Sequence, residues 1–482
     1  MKIKKYLYLF IAGVSVITSC KKSFLTELPP TSIVATTSIQ TENDMSDAVN
    51  GMYNAMRSSS LFGRDIPVLG DLMGDDTYVF QTNSGRYLNE NAFTFISTNA
   101  EASDIWNQGY YSILQANRII ANTLVPNSAT VNNYKGAAYA SRALTYLQLV
   151  NWFATPYTVS PTAAGIPLVT NVNFSAEGAF LKPSRSTVAA VYTKIISDLD
   201  SAYALITTTS LSSNYISKYA AKAIEARAYL YKGDYVNAEA AAQTVVTSGG
   251  YSLTPASTLV TYWANPGPVS NKVETIFELS LTLTNNNGTN GLDYIYNQSG
   301  YGDILATNDL CSTYSATDVR RPGSPTAGNF LIYNTTKNGV QAYVVNKYQN
   351  VTNATDRDDI KIIRYAEVLL TLAEGAARTG DEPTALINLN LLTKMRDPSF
   401  TGYKSTGTQL VSDILTERRK ELAFEGLRYF DLTRTNVAIM RPVQTSGAAS
   451  ISTVPIGDYR RLLPIPLAET NANKNITQNP GY

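Results

Sequence analysis

The stretch LTERRKELAFEGLRYFDLTR, residues 415–434, carries the strongest structural pattern in the chain. Its apolar residues recur every three, four or seven positions, which is typical of one face of a helix. The same spacing places Arg418, Glu421, Glu425 and Arg428 on one side of that helix. Two glutamates one turn apart repel each other. We therefore predict that the two arginines supply the compensating charges in a structural lattice of ion pairs.

A catalytic pair of carboxylates is the alternative interpretation of Glu421 and Glu425. Carboxylates that cleave a glycosidic bond face each other across that bond, so they usually come from different elements. Two glutamates on one helix face do not meet this requirement, and the spacing favours a structural role.

Composition narrows the classes of function. The chain has 482 residues, with 39 basic and 38 acidic side chains, and this balance does not favour a nucleic-acid partner. It has no histidine, which excludes histidine-based triads, general bases and metal ligands. Metal-ligand spacings, a phosphate-binding glycine loop and a nucleophile elbow are absent too, so we expect no metal and no cofactor. The 32 tyrosines suit either helix packing or sugar stacking, and their number does not choose between the two.

The N-terminus indicates export and lipid attachment. A basic start precedes a run of twelve apolar residues, 6–17, which is too short to span a bilayer. The run ends in Ile17-Thr18-Ser19-Cys20, which resembles a bacterial lipobox; an ordinary signal peptide with a chance cysteine is the alternative. We predict a signal peptide over 1–19 and a tether over 20–40 that is lipidated at Cys20. Only Cys311 would then remain, so a disulfide within the mature chain is excluded.

Helical periodicity recurs along most of the chain. It predicts helices over 42–57, 105–121, 135–153 and 185–206. Residues 217–246 and 361–396 each form two helical stretches around a Gly-Asp pair, Gly233-Asp234 and Gly380-Asp381. These two units resemble tetratricopeptide repeats, in which helices pack in antiparallel pairs.

Three segments lack this periodicity. Residues 69–95 are predicted to form a loop, and residues 247–360 are predicted to be mostly not helical, with one strand-like run over 275–283. Residues 435–460 form a smaller irregular segment. Long irregular insertions in a compact protein are usually functional. We call 247–360 and 435–460 the cap, because we expect them to pack on the helices.

Several motifs resemble one family. Residues 417–434 read E-R-R-x-E-L-x-F-E-G-x-R-x-x-D-L-x-R, residues 106–118 read W-x-x-x-Y-x-x-I-x-x-A-N-R, and the chain ends LLPIPLAETNANKNITQNPGY. These phrases, in this order, resemble the SusD/RagB family of surface-exposed nutrient-binding lipoproteins of the Bacteroidetes. The resemblance runs from about Thr41 to Tyr482.

The resemblance implies an all-α fold with four tetratricopeptide-like helix pairs, an α/α superhelix, that carries a loop-rich cap. It divides the mature chain into an N-terminal helical region, 41–250, and a C-terminal region with the cap, 251–482. It also implies a lipid-anchored protein on the outer face of the outer membrane. Such a protein captures an oligosaccharide and delivers it to a SusC-like TonB-dependent transporter without being an enzyme.

Two aromatic loops are the candidate binding residues. A sugar site needs aromatic faces for the ring and polar groups for the hydroxyls, and residues 75–87 and 286–301 offer both. The resemblance points to these regions only, because the family has no fixed ligand motif. The candidates are Asp76, Tyr78, Phe80 and Arg86 in the first loop and Asn287, Tyr294, Tyr296 and Tyr301 in the second. We expect the two loops to meet on one face. Trp263 fits a core position better than a ligand position.

Three alternatives stay open. Some relatives in the same family bind peptides. A tetratricopeptide scaffold that only organises other proteins would have no need of aromatic loops. A hydrolase would depend on Asp and Glu, with Asp75-Asp76 as the best acidic candidate.

Overall fold

The computed structural model describes residues 38–172, 181–209, 212–351 and 357–482. The predicted signal peptide, Cys20 and nearly all of the tether lie outside these ranges. No helix within them is long and apolar enough to cross a bilayer.

The helices in the described part of the chain are α1 (Glu42–Met56), α2 (Asp65–Leu72), α3 (Leu88–Ala92), α4 (Ala100–Ile120), α5 (Ala129–Phe153), α6 (Val188–Leu205), α7 (Lys218–Lys232), α8 (Tyr235–Ser248), α9 (Leu259–Ala264), α10 (Leu292–Tyr296), α11 (Asn308–Ser312), α12 (Tyr365–Thr379), α13 (Glu382–Arg396), α14 (Gly407–Leu422), α15 (Arg428–Arg434) and α16 (Leu467–Ala472).

The long helices form one continuous row. Helix α1 packs on α4, and α4 to α8 then pack on one another in chain order. Helix α8 packs on α12, which lies far away in sequence and in turn contacts α13 and α14. The row therefore contains four helix pairs, α1/α4, α5/α6, α7/α8 and α12/α13, and the expected all-α, tetratricopeptide-like fold is confirmed.

The two predicted repeat units are present, and their turns show why the Gly-Asp pair recurs. Gly233 and Gly380 end α7 and α12 with φ of 76° and 95°, a conformation that costs glycine least. Asp234 and Asp381 then begin α8 and α13, because each side chain accepts a hydrogen bond from a backbone N–H of the first turn.

Two helices are longer than their periodicity predicts. Helix α4 begins at Ala100, where the Asn99 side chain accepts from the N–H of Ala102. Helix α5 begins at Ala129, where the Ser128 side chain accepts from the N–H of Val131. Side-chain caps fix these starts, and the apolar repeat becomes clear only later in each helix.

A five-stranded sheet lies in the segments predicted to be irregular. The strands of the described chain are β1 (Thr77–Val79), β2 (Thr275–Leu279), β3 (Ile304–Ala306), β4 (Pro322–Gly323), β5 (Ile332–Lys337), β6 (Val340–Val345), β7 (Ile360–Arg364), β8 (Ile439–Met440) and β9 (Thr453–Val454). The strand order of the five-stranded sheet is β1-β3-β6-β5-β4, and β2 with β7 and β8 with β9 form two separate pairs. The cap is thus partly β-structure. Residues 69–95, predicted as a loop, contain the end of α2, all of β1 and α3.

The prediction of one continuous helix through residues 415–434 is wrong. Helix α14 ends at Leu422 and α15 begins at Arg428. Between them Phe424 and Gly426 adopt φ of 69° and 76°, which no helix allows. The buried carboxylate of Asp71 holds this turn, because it accepts the N–H of Phe424 at 3.2 Å and that of Gly426 at 2.7 Å. Glu425 therefore lies outside the helix and not one turn from Glu421.

The lattice of ion pairs exists, but its cations come from other elements. Glu421 is bound by Arg320, Arg364 and Arg396 at 2.9 to 3.0 Å. Arg364 also binds Glu425, at 2.6 Å, and Lys347 binds Glu425 at 2.7 Å.

The two arginines expected to serve these glutamates have other partners. Arg418 contacts Asp431 at 3.2 Å, and Arg428 binds Asp75 with two hydrogen bonds. Charges from the cap and from α13 thus converge on α14 and fix the cap to the row of helices.

Candidate functional site

The two aromatic loops meet, as expected, because β1 and β3 pair in antiparallel fashion with Thr77 opposite Ala306. This pairing brings the chain after β1 beside the chain before β3. There the Arg86 guanidinium lies 3.9 Å from the ring centroid of Tyr301 and donates a 3.0 Å hydrogen bond to its hydroxyl. The Tyr294 ring meets Tyr301 edge-on, with centroids 5.0 Å apart. We call Arg86, Tyr294 and Tyr301 the Arg86–Tyr301 site.

Polar groups surround this site: Ser84 is exposed, Lys337 is half-buried and Asp303 is buried. Ser84 donates its N–H to Asp303 at 3.2 Å and its hydroxyl to the same carboxylate. Lys337, at the end of β5, donates to the carbonyl of Gly302 at 2.5 Å. Arg86 also donates to the Ser84 hydroxyl at 2.9 Å. The three side chains of the site are half-buried, so aromatic and polar edges both reach solvent.

Four of the eight predicted site residues lie in the core. Asp76, Tyr78, Phe80 and Tyr296 are all buried, and Tyr296 and Phe80 have no exposed surface. The Tyr296 ring stacks on Tyr348 with centroids 5.6 Å apart. Phe80 and Tyr296 therefore offer no exposed ring face to a ligand, and Tyr78 is only 7% exposed, at the wall of a cavity. In this structure all four residues pack in the core, and their expected role is corrected to core packing. An irregular segment has no repeating pattern of apolar residues, so the sequence does not show which of its tyrosines are buried.

Asn287 is accessible but already engaged. Its side-chain amide donates to the carbonyl of Arg57 at 2.9 Å. This bond fixes the second loop on the turn after α1. Trp263 is buried, as expected, and the cations of Lys347 and Arg364 lie 4.5 and 5.1 Å from its ring.

The acidic pair Asp75-Asp76 is bound by arginines. Arg428 holds Asp75 at 2.5 and 2.8 Å, and Arg419 holds Asp76 at 2.6 Å. Burial raises the pKa of Asp76; Arg419 opposes this rise and the neighbouring Asp75 adds to it. Burial also favours a neutral Asp75, but its bonds to Arg428 hold its pKa below the ordinary value. The geometry gives both carboxylates a structural role.

The sequence did not point to Lys337, Ser84 or Asp303. A signal for Lys337 was present, because Asn338-Gly339 is a typical two-residue hairpin turn between strands. Both turn residues have positive φ, 51° and 77°. The hairpin places Lys337 at the last pair of β5 and β6, in reach of the turn that follows Tyr301.

A separate cavity of about 260 Å³ borders β1. Thr77 and Tyr78 of β1 line it together with Asp75, and Arg441 and Gln444 line it from the smaller part of the cap. Arg441 donates there to the carbonyl of Leu72 at 3.0 Å. It therefore caps the end of α2, and its contacts are structural.

Comparisons with known proteins cover most of the chain. The family model described as "SusD family" matches residues 301–482. A second, described as "Starch-binding associating with outer membrane", matches residues 23–230. The chain is 26% identical to SusD-like protein P2 of Formosa agariphila, over 99% of this chain and 100% of that protein. It is 31% identical to starch-binding protein SusD of Bacteroides thetaiotaomicron, over 27% of this chain and 23% of that protein.

Solved structures extend the likeness to the whole fold. A putative sugar binding protein from Bacteroides vulgatus is 30% identical, with a TM-score of 0.81 over 92% of this chain and 99% of its own. A SusD superfamily protein from Bacteroides thetaiotaomicron is 27% identical, with a TM-score of 0.81 over 91% of this chain and 100% of its own.

Proposed function

The chain belongs to the SusD family, and on that premise we propose that it binds an oligosaccharide at the surface of the outer membrane through the Arg86–Tyr301 site. One observation carries the proposal: two loops far apart in sequence join an arginine and two tyrosines on one accessible face. The names of two relatives, a putative sugar binding protein and a starch-binding protein, support the class of ligand.

Binding at such a face does not require any covalent bond of the ligand to be broken or formed. The flat rings offer apolar surface to a pyranose, and the guanidinium and hydroxyl groups reach its oxygens. The antiparallel pairing of β1 with β3 holds the two loops beside each other, so little order must be gained on binding. We propose that hydrolysis of the polymer belongs to other proteins. An open face of this kind contacts several rings, so longer oligosaccharides should bind more tightly than disaccharides.

Delivery completes the proposed role. A SusC-like TonB-dependent transporter would receive the oligosaccharide, as the family membership suggests. We also propose that residues 1–19 are removed, that 20–40 form a tether, and that 41–250 and 251–482 are the two regions of the mature protein.

The anchor is tested by replacing Cys20 with alanine. We expect the variant to leave the membrane fraction, because the tether would lose acyl chains, two of which suffice for stable anchoring. Radioactive palmitate should label the wild type and not the variant. A wild-type protein that stays unlabelled would refute lipid attachment at this cysteine.

The site is tested by replacing Tyr301 with alanine. We expect the affinity for the cognate oligosaccharide to fall about tenfold, because loss of one aromatic contact costs about 1.4 kcal/mol. Isothermal titration calorimetry measures this affinity. Tyr301→Phe keeps the aromatic ring and should retain most of the affinity. Tyr111, which is 51% exposed on α4, gives a matched surface control as Tyr111→Ala. A Tyr301→Ala protein that binds like the wild type would show that the binding face lies elsewhere.

The choice among functions is made by one panel of ligands. The mature protein is titrated with neutral and acidic oligosaccharides and with peptides, and the products are analysed by mass spectrometry. Binding of an uncleaved oligosaccharide supports the proposal. Binding of peptides alone would favour the peptide-binding role, and cleaved products would favour a hydrolase. Absence of binding to every ligand would favour a scaffold and contradict the proposal.

A further inference from the structure

Two cations lie next to Tyr301 without a carboxylate partner. Arg86 donates to the hydroxyls of Ser84 and Tyr301, and Lys337 donates to the carbonyl of Gly302. Over the residues that the structure describes, neither side chain forms an ion pair. Both side chains are half-buried. The site thus brings two positive charges to the same turn, residues 301–302.

One negative charge lies close to them. Asp303 is buried, and its carboxylate already accepts the N–H and the hydroxyl of Ser84. The other acids of the two loops are paired: Arg357 binds Asp293 at 2.6 Å, and Arg428 and Arg419 bind Asp75 and Asp76 at 2.5 and 2.6 Å. Glu90, the next acid after Arg86, is buried, and burial raises its pKa to about 7. Arg86, Lys337 and Asp303 together therefore leave an excess of one positive charge at the site.

The donors and acceptors of the site are also unequal. Lysine and arginine can only donate hydrogen bonds, and a guanidinium has five N–H groups, of which Arg86 uses two in its bonds to Ser84 and Tyr301. A sugar hydroxyl both donates and accepts, so a neutral sugar needs acceptors in the site as well. A carboxylate or sulfate oxygen only accepts, and its bonds to a cation are stronger because both partners are charged.

Lys337 adds an electrostatic reason. Burial lowers the pKa of its ammonium group, while the carboxylate of Asp303 opposes this shift. Its charge is thus partly desolvated, with its Nζ 5.1 Å from the Phe80 ring. A second anion beside it would stabilise the charged form and would gain more there than at a fully solvated lysine.

We propose that the oligosaccharide bound at the Arg86–Tyr301 site is acidic, with uronate carboxylates or sulfate esters that contact Arg86 and Lys337. The sugar ring lies against the tyrosines while its anionic group lies between the two cations. This inference rests on the proposed oligosaccharide binding and specifies its ligand class.

The test compares ligands that differ only in charge. The full mature protein is titrated with an oligogalacturonate and with its carboxyl-reduced form, and with a sulfated galactan oligosaccharide and its desulfated form. We expect at least one acidic member to bind about tenfold more tightly than its neutral partner at low salt. The advantage should shrink as ionic strength rises. The pair that shows it distinguishes carboxylate from sulfate.

Variants connect the preference to the two cations. Arg86→Gln and Lys337→Gln should each reduce the preference for the acidic member several-fold, while Lys474→Gln, on an exposed lysine of the C-terminal segment, should not. Equal binding of acidic and neutral members, unchanged by the two variants, would overturn this inference and leave the proposed function intact. Binding of peptides alone, or of no oligosaccharide, would overturn both.

Discussion

Replacing Glu421 with glutamine is expected to lower the free energy of unfolding by about 3 to 5 kcal/mol, the usual cost of breaking a buried ion pair. The Glu421 carboxylate is buried and meets three arginines, which come from the cap, from β7 and from α13. Glutamine keeps the shape but loses the charge. Three guanidinium groups then remain close together with one negative charge fewer to neutralise them. Their mutual repulsion destabilises the contact between the cap and the helices.

Chemical denaturation measures this loss, and Asp200→Asn serves as the control because Asp200 is an exposed acid of α6. Acid gives a second measurement. Burial opposes the charge on Glu421, but Arg396, Arg364 and Arg320 together hold its pKa well below the ordinary value. A lowered folded pKa stabilises the protein above the unfolded pKa, about 4.3, and this contribution is lost as the pH falls further. The difference in free energy of unfolding between the wild type and Glu421→Gln should therefore shrink as the pH falls below about 4.3. Equal stability of the two proteins at pH 7 would contradict the structural role.

Replacing Gly426 with alanine is expected to lower the free energy of unfolding by about 2 to 5 kcal/mol. Alanine is strained in the left-handed backbone conformation at this position, and its methyl group overpacks the contact. Gly426 has a φ of 76°, and a Cβ atom there would lie 2.4 Å from the Cα of Pro67. Backbone on both sides leaves no flexible side chain to move. The substitution would separate the turn from Asp71, whose carboxylate accepts its N–H.

Gly51 provides the matched control for this prediction. It lies within α1, and a Cβ atom there would meet nothing within 4 Å. Gly51→Ala should therefore stabilise the protein by about 0.5 to 1 kcal/mol, because alanine restricts the unfolded chain and favours the helix. Thermal or chemical unfolding separates the two variants. A Gly426→Ala protein as stable as Gly51→Ala would show that the turn tolerates a side chain.

Local patterns predicted the helical row but not its interruptions. The Gly-Asp turns at 233 and 380 gave both repeat units, because their chemistry depends only on neighbouring residues. The break after Leu422 could not be read from periodicity, since residues 415–434 keep a helical spacing throughout. That break is imposed from a distance by Asp71, more than 350 residues earlier in the chain.

The partners of the charged residues were also beyond the sequence. Spacing placed Arg418 and Arg428 near the two glutamates, but in the folded chain they meet Asp431 and Asp75 instead. The arginines that do bind Glu421 lie 25 to 101 residues away. Side-chain charge identifies candidates for a lattice, but only the fold decides which of them come together.

The candidate site was predicted in part for a similar reason. Composition indicated the two loops, and their meeting at Arg86 and Tyr301 follows from the pairing of β1 with β3. Alternation along the strand sends Tyr78 and Phe80 to one buried face, where they pack on Leu305 and Val344. Three residues form a strand too short for its burial pattern to be recognised in sequence.

The most direct test of oligosaccharide binding is a crystal structure of the mature protein with the tightest-binding oligosaccharide of the panel. We expect a sugar ring in van der Waals contact with Tyr294 or Tyr301 and a ligand oxygen within hydrogen-bonding distance of Arg86. The four core residues Asp76, Tyr78, Phe80 and Tyr296 should not touch it. A ligand bound instead in the cavity beside Arg441, or on the helical row, would show that the Arg86–Tyr301 site is not the binding site.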